Sequence, residues 1–216
     1  MGTQVAVLTG DIVNSTEADA SRLEAAMDLL ADTARIIAGW QSGDARPRFT
    51  RFRGDGWQFL VAEPSLALRA ACVIVARLRG SGQGLMTRVS IGIGTARHVG
   101  AGTLADASGT AFELSGRGLD AMPRRRLLAI AGKGIGPLHH AVVRLVEDRF
   151  GLWTPQQAEA TALALDPRGP TMAEIGGVLG ISKQAVSYRL SGARAQALKE
   201  ALALWEKAAR EQEAAR

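Results

Sequence analysis

The hydrophobic pattern changes its period once along this chain, and that change constrains the fold more than any other feature. Before about residue 136, short apolar runs with strand-like spacing alternate with longer segments of helical spacing, and glycines punctuate the joints. After about residue 152 the spacing is helical throughout. The last forty residues are rich in Ala, Leu, Glu, Lys and Arg, the composition of good helix formers. An alternating first part and an all-helical second part predict an α+β unit over 1–136 and a helical unit over 137–216. The 216 residues suffice for two such units.

Within the first part, Gln4 to Leu8 is a short apolar run ending in Thr9-Gly10-Asp11, which predicts a buried strand and a turn. Leu23, Ala26, Met27, Leu30, Ala34 and Ile37 follow helical spacing, and Ser21 with Glu24 predicts a capping box at the start. Arg48–Phe52 and Trp57–Val61 flank Arg53-Gly54-Asp55-Gly56, which predicts a β-hairpin. Ser65 to Leu78 is apolar on most faces, as a helix packed on a sheet would be. Thr87–Thr95 and Arg126–Ala131 read as strands and Ala111–Met122 as a helix. The order β-α-β-β-α-β-α-β is that of a ferredoxin-like sandwich with an extension.

Composition excludes other classes. A single cysteine forms no internal disulfide and no Cys-rich zinc site, and Cys72 falls in an apolar helix as an inert core thiol. No apolar run reaches the roughly 20 residues of a membrane span. The N-terminus lacks the basic flank of a signal peptide, so a cytoplasmic protein without a membrane partner is expected. The net charge of +5 is a blunt indicator of a nucleic-acid partner, and its distribution says more: Gly180 to Lys199 carries Lys183, Arg189, Arg194 and Lys199 with no acid.

That basic stretch overlaps Thr171–Leu190, TMAEIGGVLGISKQAVSYRL, which resembles the helix-turn-helix of bacterial transcription regulators and sigma-factor promoter-reading domains. Ile175, Val178 and Leu179 are expected on the inner face of the first helix. Gly180 falls where the turn needs a positive φ, Ser182 caps the second helix, and Gly176 leaves room for the two to cross. Lys183, Gln184, Ser187, Tyr188 and Arg189 are then the exposed, DNA-facing positions. Thr171, Ser182 and Arg194 complete the candidate DNA-contacting set. Downstream, Leu198, Leu202 and Trp205 form a stripe that either pairs with a second copy or packs back on its own domain.

In the first part, Asp11 in GDIVNST and Asp55 in RGDGWQF resemble the metal-binding acids of class III nucleotidyl cyclases, where two such carboxylates share magnesium ions that hold a nucleoside triphosphate. The resemblance implies a magnesium site at Asp11, Ile12 and Asp55. It also implies a phosphate-wrapping turn that includes Ile12, Asn14, Ser15 and Thr16. RVSIGIG at 88–94 looks like the family's fourth strand and GTAFELSGRGL at 109–119 like its glycine-led helix. In that helix Arg117 takes the position of the arginine that stabilises the transferring phosphate. Lys133 matches a later phosphate-binding lysine. Two positions depart from the family: Glu113 replaces an asparagine, and Arg51 stands where purine cyclases carry a base-selecting lysine. The chain as a whole also resembles the SatD-like group, which opens with a similar GDI segment. Because cyclase sites form between two subunits, the resemblance implies a homodimer.

Bland readings compete with these. Asp-Gly at a hairpin tip is also what a type I′ turn needs. Trp57 either packs beside the hairpin or stacks on a base. Arg124–Arg126 forms a solvated turn or binds an anion, and His98, His139 and His140 read as surface or interface residues and not as ligands. The glycines of IGIGTARHVGAG follow a strand but lack a dinucleotide-binding unit. Together the two parts suggest a DNA-binding regulator that senses a nucleotide or cyclic nucleotide, with Arg117 catalytic only in the alternative, an active nucleotidyl cyclase attached to a DNA-binding unit.

Overall fold

The computed structural model describes residues 4–41, 46–52, 54–99 and 103–214. Arg53 of the hairpin tip and residues 100–102 of the discarded glycine motif lie outside them. The protein is α+β: among the described residues, five strands form one mixed sheet and eight α-helices surround it. Strand β1 (Gln4–Ile12) is followed by α1 (Ala20–Ala38), the hairpin β2 (Phe49–Phe52) and β3 (Gly56–Val61), α2 (Ala67–Gly80), β4 (Thr87–Thr95), α3 (Thr110–Asp120) and β5 (Leu128–Gly132). The sheet order is β2-β3-β1-β4-β5. Every neighbouring pair is antiparallel except β4 and β5, which run parallel.

Strand alternation gives the sheet two different faces. Ala6, Leu8, Trp57, Phe59, Val89 and Ile91 point to the face covered by α1 and α2 and join the main core. Val5, Val7 and Leu60 point to the other face, under Ala111 of α3 and Leu104. Helix α3 lies almost on the backbone of β4: a Cβ on Gly92 would stand 2.2 Å from the Ala111 carbonyl oxygen, so only glycine fits there.

The helical part continues with α4 (Pro137–Leu152), α5 (Pro155–Ala164), α6 (Met172–Leu179), α7 (Lys183–Gly192) and α8 (Ala195–Ala214). One core runs through both parts. Val143, Val146 and Phe150 of α4, Ala158 and Ala162 of α5, and Leu198 and Leu202 of α8 join the cluster built on α1 and α2. Leu198 and Leu202 are therefore buried within their own chain, and Trp205 packs partly against the same core. The α8 stripe thus packs on the core it shares with α1 and α2 and not only on its own helical unit, an arrangement that differs from the expected packing within that unit. Three further expectations are corrected or resolved. Helix α1 is capped not by Ser21 but by Asp19, which accepts from the Arg22 amide at 2.8 Å, while Glu24 reaches out to Arg51. Val178 is 70% exposed instead of lining the inner face of α6, because the short helix turns only Ile175 and Gly176 fully inward. Trp57 is wholly buried and donates through Nε1 to Thr87 Oγ1 at 3.0 Å, so it is a core residue with no free ring to stack.

Helix α2 is buried on nearly every face, and it carries one cation into that burial. Arg69 Nε donates to Glu206 Oε1 of α8 at 2.5 Å and Nη1 donates to the Leu165 carbonyl at 3.0 Å. Both side chains are more than nine-tenths buried. Removing either partner strands the other charge in the core, at a cost of about 3–5 kcal/mol. Arg69→Leu and Glu206→Leu should each lower the unfolding free energy obtained from urea titration by that amount, and the double Leu variant should recover most of the loss. If the single variants unfold like wild type, the pair does not hold α8 to α2.

Candidate functional site

The end of the sheet where β1 finishes gathers the acids picked out by sequence. Asp11 pairs in register with Gly56 of β3 on one side and Arg88 of β4 on the other, and Asp55 precedes Gly56. Its backbone is fixed from below: Thr87 Oγ1, which accepts from the buried Trp57, donates to the Asp11 carbonyl at 2.7 Å. Gly10 is needed beside it, since a Cβ there would stand 2.3 Å from the Trp57 ring. Beyond the strand, Asn14 takes a left-handed conformation (φ 55°) and starts a 3₁₀ turn over Ser15–Glu17. Ser15 Oγ donates to Asp55 Oδ2 at 2.5 Å. Thr16 is exposed on that turn and Ile12 is buried. The structure thus brings Asp11, Ile12, Asn14, Ser15, Thr16 and Asp55 to one pole.

Arg88 is the residue that motif reading missed. Its Nε donates to Asp11 Oδ1 at 2.9 Å and its Nη2 to Asp11 Oδ2, a two-pronged ion pair. The hydrogen bond to Asp11 is the main force holding the Arg88 guanidinium above its ordinary range. The fields of Asp11, Asp55 and Asp120 add to it, and partial burial opposes it. Only the strand register could have revealed it, because Asp11 and Arg88 are 77 residues apart yet face one another across the sheet. The pair bears on the magnesium expectation. Two carboxylates on adjacent strand ends suit a hard cation, but both Asp11 oxygens are engaged by Arg88 and one Asp55 oxygen by Ser15. In this arrangement the residues do not fit the ion. Among the described residues, no group of three or more His, Cys, Asp or Glu is gathered as a metal site.

The remaining residues of the nucleotide set lie elsewhere. Arg51 pairs across β2–β3 with Trp57 and therefore points to the α1 face, opposite to Asp11. It donates to Glu24 Oε2 at 2.7 Å and to the Gly54 carbonyl at 2.6 Å. Arg117 stands exposed on α3 and reaches Glu113 at 3.3 Å, so the arginine at the family's position is paired with the residue that departs from the pattern beside it. Lys133 follows β5 at the opposite end of the sheet, beside His139 and Trp205. Its distance from Asp11 within one chain is the rise from Val5 to Asp11, about 20 Å at strand spacing. Of the arginine triplet, Arg126 donates to Glu147 Oε2 at 2.6 Å and Arg124 and Arg125 are exposed.

The second candidate site is built on α6 and α7. Thr171 caps α6 by accepting from the Glu174 amide at 3.2 Å, and Glu174 returns the bond to the Thr171 amide at 2.7 Å. Gly180 ends α6 with φ 65° and ψ 30°, the left-handed geometry expected of it. Ser182 caps α7 by accepting from the Ala185 amide at 3.2 Å. Gly176 permits the crossing, since a Cβ there would stand 2.6 Å from the Ile181 carbonyl oxygen. Ile175 and Val186, with Ala164 of α5, form a small core of their own. Lys183, Gln184, Ser187 and Tyr188 are exposed on one side of α7, Tyr188 by 83%. Arg189 is turned back instead, donating to Glu159 Oε2 of α5 at 2.9 Å. Arg194, at φ 55°, is exposed at the junction with α8.

Cys72 is fully buried in α2, and burial pushes its thiol up to about 12. A thiol raised in the folded state favours folding while it stays protonated. Its contribution is complete below the unfolded thiol range and is lost as pH rises from about 9 toward about 12. Ellman's reagent should label the native protein only at the rate of unfolding, and rapid labelling without denaturant would show that α2 opens. Among known proteins, no family model and no curated sequence matches this chain.

Proposed function

We propose that this protein is a cytoplasmic DNA-binding transcriptional regulator whose sheet-bearing part senses a nucleotide or cyclic nucleotide. The observation that carries the reading is the unit α6–Gly180–α7. Two short capped helices meet at a left-handed glycine, share a core of Ile175 and Val186, and leave Lys183, Gln184, Ser187 and Tyr188 in solvent. These features support reading the pair as a helix-turn-helix whose second helix enters a major groove. Lys183 supplies phosphate neutralisation and Gln184 a side chain able to read adenine. Arg194 flanks them, Ser182 and Thr171 fix the helix starts, and Arg189 acts through its hold on Glu159.

The order β2-β3-β1-β4, with α1 and α2 on one face, supports a ferredoxin-like, cyclase-type sandwich for the first part. Its pole at Asp11, Asn14, Ser15, Thr16 and Asp55 suits a ligand whose phosphate takes Arg88 in exchange for Asp11. Glu113 paired with Arg117, and Arg51 turned to the α1 face, favour binding without turnover over an active cyclase. A homodimer matches a palindromic operator, and Leu138, Leu145 and Leu152 form an exposed row along α4, spaced by seven, as a surface for a second copy.

Selection of duplexes from a random pool should yield a consensus, with affinity falling steeply as salt rises. Lys183→Ala should weaken binding to every sequence and reduce the salt slope by about 0.9, one phosphate's worth. Gln184→Ala should lower discrimination at one base position by about 10- to 100-fold. No consensus together with a flat salt dependence overturns the reading. A cyclic product from a nucleoside triphosphate and magnesium, lost in Asp55→Ala, establishes the cyclase instead.

A further inference from the structure

A cleft on the other side of α6, away from both sites above, combines an apolar wall with an arginine that has no acid. It lies between α1, α2, α5 and α6 and measures about 210 Å³, below the range of drug-sized pockets and suited to a ligand of roughly one ring. Ile36, Val73, Ile175 and Val178 supply aliphatic surface, and Trp40 supplies an aromatic wall. Arg77 lines it from α2, and it also lines the adjoining notch toward Glu159.

The charges around Arg77 are already spoken for. Its Nε donates to Thr33 Oγ1 at 2.8 Å, and no carboxylate comes within ion-pair distance of it among the described residues. Asp166, at the rim, is held by Arg168 at 2.9 Å. Glu174 is held by the Thr171 cap and Glu159 by Arg189. Half-burial without a counter-charge holds the Arg77 guanidinium below its ordinary range. A partly desolvated guanidinium with free Nη donors presents a planar fork, the shape that takes a carboxylate through two parallel hydrogen bonds. The nearby Asp166 and Glu174 disfavour a doubly charged phosphate and favour a single negative charge. The flat indole and the aliphatic wall favour an apolar, planar body.

We propose that this cleft binds a small aromatic monocarboxylate, with its carboxylate on Arg77 and its ring against Trp40 and the aliphatic side chains. The site is lined from α1, α2, α5, α6 and the α5–α6 connection, takes no residue from α7, and does not depend on what α7 reads or on which ligand reaches Asp11.

Benzoate and indole-3-carboxylate serve as probes, with benzamide as the neutral control, and calorimetry and thermal unfolding of the full chain as readouts. The acids should bind saturably, with a Kd of about 1 mM or tighter, and raise the Tm, while benzamide does neither. Arg77→Gln should weaken the acids by about 10- to 100-fold, the worth of charged hydrogen bonds, and Arg77→Lys should retain part of the binding. If Arg77→Gln does not fold, Val178→Trp, a substitution at an exposed position on the cleft wall, should fill the space and abolish binding with the fold intact. No binding of either acid to the wild type, equal binding of benzamide, or undiminished binding in folded Arg77→Gln or Val178→Trp overturns the proposal. None of these results bears on DNA selection, so either reading can fail alone.

Discussion

The rest of the molecule depends on the near-total burial of α2. Eleven of its fourteen residues are buried, so it needs cover on every side, and the sheet with α1 provides only part of it. The remainder comes from α4, α5 and α8, which is why one core crosses the point where the sequence changes period. The approach is close: a Cβ on Gly80 would stand 2.8 Å from the backbone nitrogen of Glu159, so α2 and α5 meet almost backbone to backbone. Arg69 then imposes a directional requirement that apolar packing does not. A buried guanidinium must be given both charge and hydrogen bonds, and among the described residues Glu206 and the Leu165 carbonyl supply them. This fixes where α8 lies and, through it, the end of α7 to which it is joined.

Local chemistry was legible in the sequence where a single segment determines it. Trp57 and Phe59 alternating after Asp-Gly specify the hairpin. Ser182 before α7 and Gly180 after α6 are both read correctly, because caps and left-handed turns depend on neighbours within four residues. The period of α1 is right while its cap is misplaced by two residues, since Asp19 and Ser21 are both capping types and only the backbone chooses between them.

What was not legible is what register and sheet face decide. A residue's face follows strand parity, so Arg51 and Asp11, both near the hairpin end of the sheet, project to opposite sides. Arg88 faces Asp11 only because β4 pairs with β1 at that offset. Lys133 sits at the far pole because β5 runs parallel to β4 and antiparallel to β1, a fact that motif order along the chain does not contain. The exposure of Val178 has a similar origin. On an eight-residue helix the inward face is narrow, and where α6 sits against α5 and α7 decides which apolar residue falls outside it.

The candidate ligand contacts differ in how readily they can exchange an internal partner for an external one. Arg117 and Glu113 are both largely exposed, and a surface pair of that kind is worth about 0–1 kcal/mol, so any phosphate of reasonable geometry displaces it. Arg189 is only 22% exposed and ties α7 to α5, so drawing it toward DNA also loosens the seat of the helix that carries it. Arg88 holds Asp11 through two bonds at a site fixed from below by Thr87 and Trp57. A ligand there must replace a bidentate partner and leave Asp11 with water or another donor. Lys183 has no ion-pair partner among the described residues and gives up nothing to reach a phosphate. The order of readiness is therefore Lys183, Arg117, Arg189 and Arg88. On this ordering, DNA contact through Lys183 would need no rearrangement of the chain, whereas contact through Arg189 or occupation of the Asp11 pole would.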